Sequence, residues 1–205
     1  GRPAGVEAAL LRAESDAEVN LEDDFLQEVL ESTGFANDAN ALVERAFATG
    51  TGAIVLRVGG MESADGSVLK SPDATLGFDY LAGEQVIPLT VRRGEIIEVA
   101  FSSRVYEQGK NYTYVETHTL EDGKYVIHNY YLDAQGVEVS LPEHIAPKIY
   151  TGSDVPWFAI VTPNIVNVYD DANGMGMSIF ALAIDNLKGV DLAYNNFLKD
   201  FELGG

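Results

Sequence analysis

The sequence predicts an α+β fold: a helical N-terminal segment, an antiparallel β meander, and one long C-terminal amphipathic helix. Three observations predict it. Apolar residues recur at helical spacing up to Thr49. From Ala53 the period changes to two, with turn residues between the runs. After Ser178 the helical spacing returns, and no proline interrupts it as far as Leu203. The chain therefore divides into residues 1–50, 51–162 and 163–205, read most simply as one domain with helical extensions.

Residues 3–14 predict a short helix with Val6, Ala9, Leu10 and Ala13 on one face. Asn20 is placed as an N-cap with Asp23 at the capping-box position and acids in the first turn. That helix carries Leu21, Phe25, Leu26, Val29 and Leu30 and stops at Gly34. The next runs from about Asn37 to Thr49, burying Leu42, Val43, Ala46 and Phe47, and stops at Gly50. Ala53–Val58 reads as a strand buried on both faces, and 61–73 as a polar loop turning at Asp65-Gly66.

Strands follow at 76–81, 85–90, 96–105, 112–120 and 124–133. Their connections are Arg93-Gly94, Gln108 to Asn111, Glu121-Asp122-Gly123 and Ala134-Gln135-Gly136. Alternation puts Tyr112, Tyr114, Glu116, His118 and Leu120 on one face, as an antiparallel sheet requires. Trp157–Val161 is the last strand. In the final helix Phe180, Ile184, Leu187, Asp191, Tyr194, Phe197 or Leu198, and Phe201 recur at steps of three and four, and Val190 can stand in for Asp191. Such a helix from Ser178 would be about 39 Å long. Ending on Leu203-Gly204-Gly205 with nothing to pack back on it, it suits a piece of a longer chain or a subunit awaiting neighbours, and Gly1 looks like a processing boundary.

Composition narrows the function. A chain of 205 residues buries roughly 70% of its unfolded surface, enough for one good core or two small ones. At 46% hydrophobic with seven prolines it is not expected to be disordered. No stretch is apolar and uncharged for the ~18 residues that a membrane-spanning helix needs. Having no cysteine excludes disulfides and thiolate chemistry and fits a cytosolic protein. Thirty-two acids against 13 bases give a net charge of −19, which repels phosphates and argues against gripping DNA. The acids are spread along the chain, as on a solvated surface or a wall to which nucleic acid must not stick.

Candidate chemistry is sparse. His118 and His128 lie on adjacent strands across a tight turn, and Glu116 or Glu138 could complete a metal site, but no metal-ligand spacing is present and solvent-facing histidines explain them. Asn173-Gly174-Met175-Gly176-Met177-Ser178 lacks the third glycine and the lysine of a phosphate cradle, and a loop with Ser178 as N-cap accounts for it. Asp170 to Gly174 resembles half of a calcium loop without the bidentate Glu. Gly50-Thr51-Gly52 reads as a tight helix-to-strand turn. Tyr106, Tyr112, Tyr114, Tyr125, Tyr130 and Tyr131 could form a ligand platform, although packing places aromatics in strands equally well. No residue stands out as catalytic, so no enzyme activity, cofactor or metal is expected.

Three stretches in combination carry a resemblance. They are Phe25 to Glu31 leading to Ala46-Phe47-Ala48-Thr49-Gly50-Thr51-Gly52-Ala53, then Gln85-Val86-Ile87-Pro88-Leu89, then Pro163-Asn164-Ile165 followed by Gly176 to Asp191. The chain resembles the portal protein of tailed double-stranded DNA phages, of the minor capsid protein type found in phages and prophages of Gram-positive bacteria. The resemblance implies a structural subunit of a homo-oligomeric ring, dodecameric in that family, at one capsid vertex of the virion and in the bacterial cytoplasm during assembly. DNA would pass through without specific binding, and the partners would be terminase, head-completion and capsid proteins. The α+β part would be wing-like, the helix from Ser178 would lead toward the stem, and the chain would be an N-terminal fragment. On this reading Tyr194, Phe197 and Phe201 form a subunit interface. The competing readings are a non-catalytic β-rich module recognising peptide or carbohydrate, and a hydrolase with a concave site of perturbed acids.

Overall fold

The computed structural model describes residues 24–59, 75–170 and 172–203. The expected helix at 3–14, the cap at Asn20 and the 61–73 loop lie outside the described residues. The first described helix, α1, covers 24–32. Gly34, at φ 67°, ends it and at once starts α2 (Phe35–Thr49), which in turn stops at Gly50, at φ 96°, whose N–H donates to Ala46 O.

The fold is α+β as expected, and its strands form two antiparallel sheets, the larger of which is the meander. In the first, β1 (Gly52–Gly59) lies between β2 (Thr75–Ala82) and β9 (Phe158–Val161). In the second, β3 (Val86–Arg92), β4 (Glu95–Glu107), β5 (Lys110–Glu121), β6 (Lys124–Leu132) and the two-residue β7 (Glu138–Val139) follow in order, with β8 (Lys148–Tyr150) beside β7 along β6. The turns between β3, β4, β5 and β6 are two residues long. Each pairs a non-glycine at positive φ (Arg93, Gln108, Asp122) with a following glycine, the backbone that matches strand twist in a tight hairpin. Pro88 has no N–H to donate and sits in β3, the edge strand, where none is needed.

The two sheets face each other across one core. Ala53, Val55, Leu81 and Phe158 from the first sheet meet Val86, Val99, Phe101 and Tyr125 from the second. The opposite face of the first sheet packs on α2 through Leu42 and Ala46, with Phe35 edge-on to Phe78. Val43 and Phe47 are exposed, against expectation, because the helix turns only the stripe of Leu42 and Ala46 toward the sheet. After β9 the chain loops back and enters α3 (Ile184–Leu203) through a 3-10 turn, Ala181–Ala183. Regular α-helix thus starts six residues after Ser178, whose Oγ instead accepts from Phe180 N–H in a local turn.

Candidate functional site

The residues named from sequence lie on α3. Tyr194, Phe197 and Phe201 are 59%, 56% and 70% exposed, and the Phe197 and Phe201 rings lie 5.0 Å apart. Every residue from 184 to 202 is exposed, so no face of α3 is covered by the rest of the described chain. Leu187, Val190, Tyr194, Phe197 and Phe201 follow one another at alternating steps of three and four. That is the seam spacing by which one helix packs along another. Among the described residues no helix is long and apolar enough to cross a membrane.

The root of α3 explains both glycine motifs. Gly176 N–H donates to Thr51 Oγ1 at 3.0 Å, and Ile179 N–H donates to Phe47 O at 3.0 Å. A Cβ on Gly50 would lie 2.7 Å from Gly176 O, and one on Gly176 would lie 2.8 Å from Thr162 Cβ. Gly50-Thr51 and Gly176-Met177 therefore form a backbone-to-backbone clasp that ties the segment ahead of α3 to the α2–β1 turn. The neighbouring loop is shaped by Asx turns, with Asp170 Oδ1 accepting from Ala172 N–H and Asn173 Oδ1 from Met175 N–H.

A second cluster lies between the sheets, and His118 in it corrects the sequence reading. Instead of facing solvent, His118 is 0% exposed, with its ring edge-on to Phe101 and Phe158. It is in register with Ile127, whereas His128 pairs with Thr117, so the two histidines occupy opposite faces of the sheet. His118 Nε2 donates to Glu116 Oε1 at 2.6 Å. Glu116, 2% exposed, accepts through Oε2 from Arg57 Nη1 at 2.5 Å and from the Tyr114 hydroxyl at 3.0 Å. Arg57 also donates Nε to Asp79 Oδ2 at 2.7 Å. The Tyr114 oxygen lies 2.8 Å from Asn129 Oδ1, and Asn129 Nδ2 donates to Ala146 O.

Burial on its own pushes the Glu116 carboxyl up. The His118 hydrogen bond and the Arg57 charge outweigh it and hold the group down at about 2. Burial, with the adjoining Glu116 charge, raises the Tyr114 hydroxyl. A carboxylate so fully engaged is a fixed strut between sheets rather than a base ready to take a proton. Sequence left a signal for it: Arg57 interrupts an otherwise apolar strand, and Glu116 lies on the inward-facing alternation of β5. Among the described residues no group of three or more His, Cys, Asp or Glu is placed to hold a metal.

The six tyrosines do not make one platform. Tyr112, Tyr114, Tyr125 and Tyr131 share the inward face, and Tyr106 and Tyr130 the outward one. Tyr125 belongs to the core. Tyr112 and Tyr131 stack at 4.8 Å beside an open groove of about 500 Å³, bounded by Glu107, Val139 to Pro142 and His144. No protein-family model matches the chain, and no curated protein matches it significantly.

Proposed function

We propose that this chain is the wing-side part of a phage portal subunit, and that the apolar stripe of α3 packs against neighbouring copies in a ring. The observation that carries the reading is α3 itself: a helix of 20 residues, exposed along its length, with a seam through Tyr194, Phe197 and Phe201. Monomeric surfaces rarely display a contiguous apolar patch this long, which marks an interaction surface. The clasp at Gly50 and Gly176 supports the reading by fixing the root of that helix to the folded body. The acidic surface supports it too, since a net charge of −19 keeps passing DNA from adhering.

Sedimentation velocity of the chain, beside the triple variant Tyr194→Ser, Phe197→Ser, Phe201→Ser, tests the interface. The wild type is expected to form assemblies larger than a monomer, and the variant to sediment as a monomer with an unchanged circular-dichroism spectrum. Unchanged self-association in the variant would refute the interface. Negative-stain images of the full gene product test the ring: closed particles with a central hole are expected, and a uniform monomer rules the portal reading out.

A further inference from the structure

We propose that the groove beside Tyr112 and Tyr131 docks an extended segment of a partner polypeptide carrying proline or aliphatic residues next to an arginine or lysine. The site is distinct from α3. Along the inward face of β5, the first sheet covers the half around His118, and Arg57 reaches Glu116. Farther along, Tyr112 and Tyr131 lie outside the core cluster and border the groove. Val139, Leu141 and Pro142 line it too, Val139 set beside Tyr131 by strand pairing, together with Gln108, Ser140 and His144.

The geometry selects the ligand. Tyr131 is 4% exposed and donates its hydroxyl to Glu107 Oε2 at 3.1 Å, so its ring is a fixed backing for Tyr112 at an interplanar angle of 26°. A rigid tyrosine stack in a groove also lined by Val139, Leu141 and Pro142 suits an extended or polyproline II chain, which brings little conformational entropy to lose. A sugar stacks on a free ring face, and here Tyr131 already occupies one face of Tyr112. Charge selects further. Glu107 lines the groove, and Glu138 and Glu143 adjoin lining residues, against Lys110 in register with Glu107 on the hairpin. On a chain of net charge −19, a basic side chain beside the apolar anchor is the complement.

Fluorescence-polarisation titration with a labelled proline- and leucine-rich decapeptide ending in two arginines tests this. A second peptide replaces both arginines with glutamate, and unlabelled maltohexaose and chitohexaose serve as competitors. Saturable binding of the arginine peptide is expected, with the glutamate peptide at least tenfold weaker. Tyr112→Ala should lose about tenfold or more in affinity, as anchor truncation does, and Tyr112→Phe should keep it. Glu107→Lys should reverse the preference between the two peptides. The α3 triple variant should bind as the wild type does, so loss of self-association and loss of docking are read separately. Absence of saturable binding to the arginine peptide, or an unchanged affinity in both Tyr112→Ala and Glu107→Lys, overturns the proposal. Competition by either sugar that is lost in Tyr112→Ala assigns the groove to carbohydrate and overturns it equally.

Discussion

Glu116 shows how a single buried charge can be both costly and fixed. Its two oxygens take hydrogen bonds from His118, Arg57 and Tyr114, so removing the charge leaves donors without an acceptor. Its carboxyl is held at about 2 in the fold, against 4.5 as the ordinary value. Folding is therefore favoured by this group above pH 4.5, and the gain is lost as the pH falls toward 2. The gap corresponds to a stabilisation on the order of 3 kcal/mol. Urea denaturation of Glu116→Gln at pH 7 should show a loss of about that size. Between pH 5 and pH 2 the variant should lose less stability than the wild type; parallel curves would show that Glu116 does not carry this dependence. At this scale the sequence was half legible. Alternation put Glu116 and His118 on one face, but it could not say that the face is covered. The covering residue, Arg57, comes from a strand 59 residues earlier in the chain.

Elements with a strong local signal were the legible ones. Strands β1 to β6 and β9 were anticipated to within a residue or two at each end, because hairpin chemistry at Arg93-Gly94, Asp122-Gly123 and their counterparts punctuates them. β7 and β8, at two and three residues, are too short for a period and are flanked by Pro142 and Pro147. The start of α3 was misplaced because the residues after Ser178 have helical spacing, whereas the clasp holds their backbone at Phe47 and Thr51. Two glycines test that account. Gly176→Ala pushes a methyl into backbone that cannot move aside and should cost about 3 kcal/mol in urea denaturation. Gly189→Ala, inside α3 with open space around it, should gain up to about 1 kcal/mol of helix stability, seen as higher ellipticity at 222 nm. Equal effects at the two positions would remove the clasp as an explanation.

At the scale of the whole molecule the α+β class and the antiparallel meander were legible, whereas the division of the strands into two facing sheets was not. The corner between them is the short turn Gly83–Gln85, and the pairing of β1 with β9 leaves no trace in any local window. Charge also acts at this scale. Copies carrying −19 each repel one another, so assembly through α3 should strengthen as salt rises from about 50 mM to about 500 mM and the Debye length shrinks. Sedimentation at the two ionic strengths measures this, and weaker assembly at high salt would point to ion pairs rather than apolar contact. The pairing of β1 with β9 has a further consequence, in time. The hairpins from β3 to β6 join neighbours in sequence and can form as they are synthesised. β1 is among the first strands made, yet one of its edges finds a partner only when Phe158–Val161 has left the ribosome. Through the intervening synthesis Ala53 and Val55 lack that strand, and a chaperone that shields exposed strand edges would act on this protein in that interval.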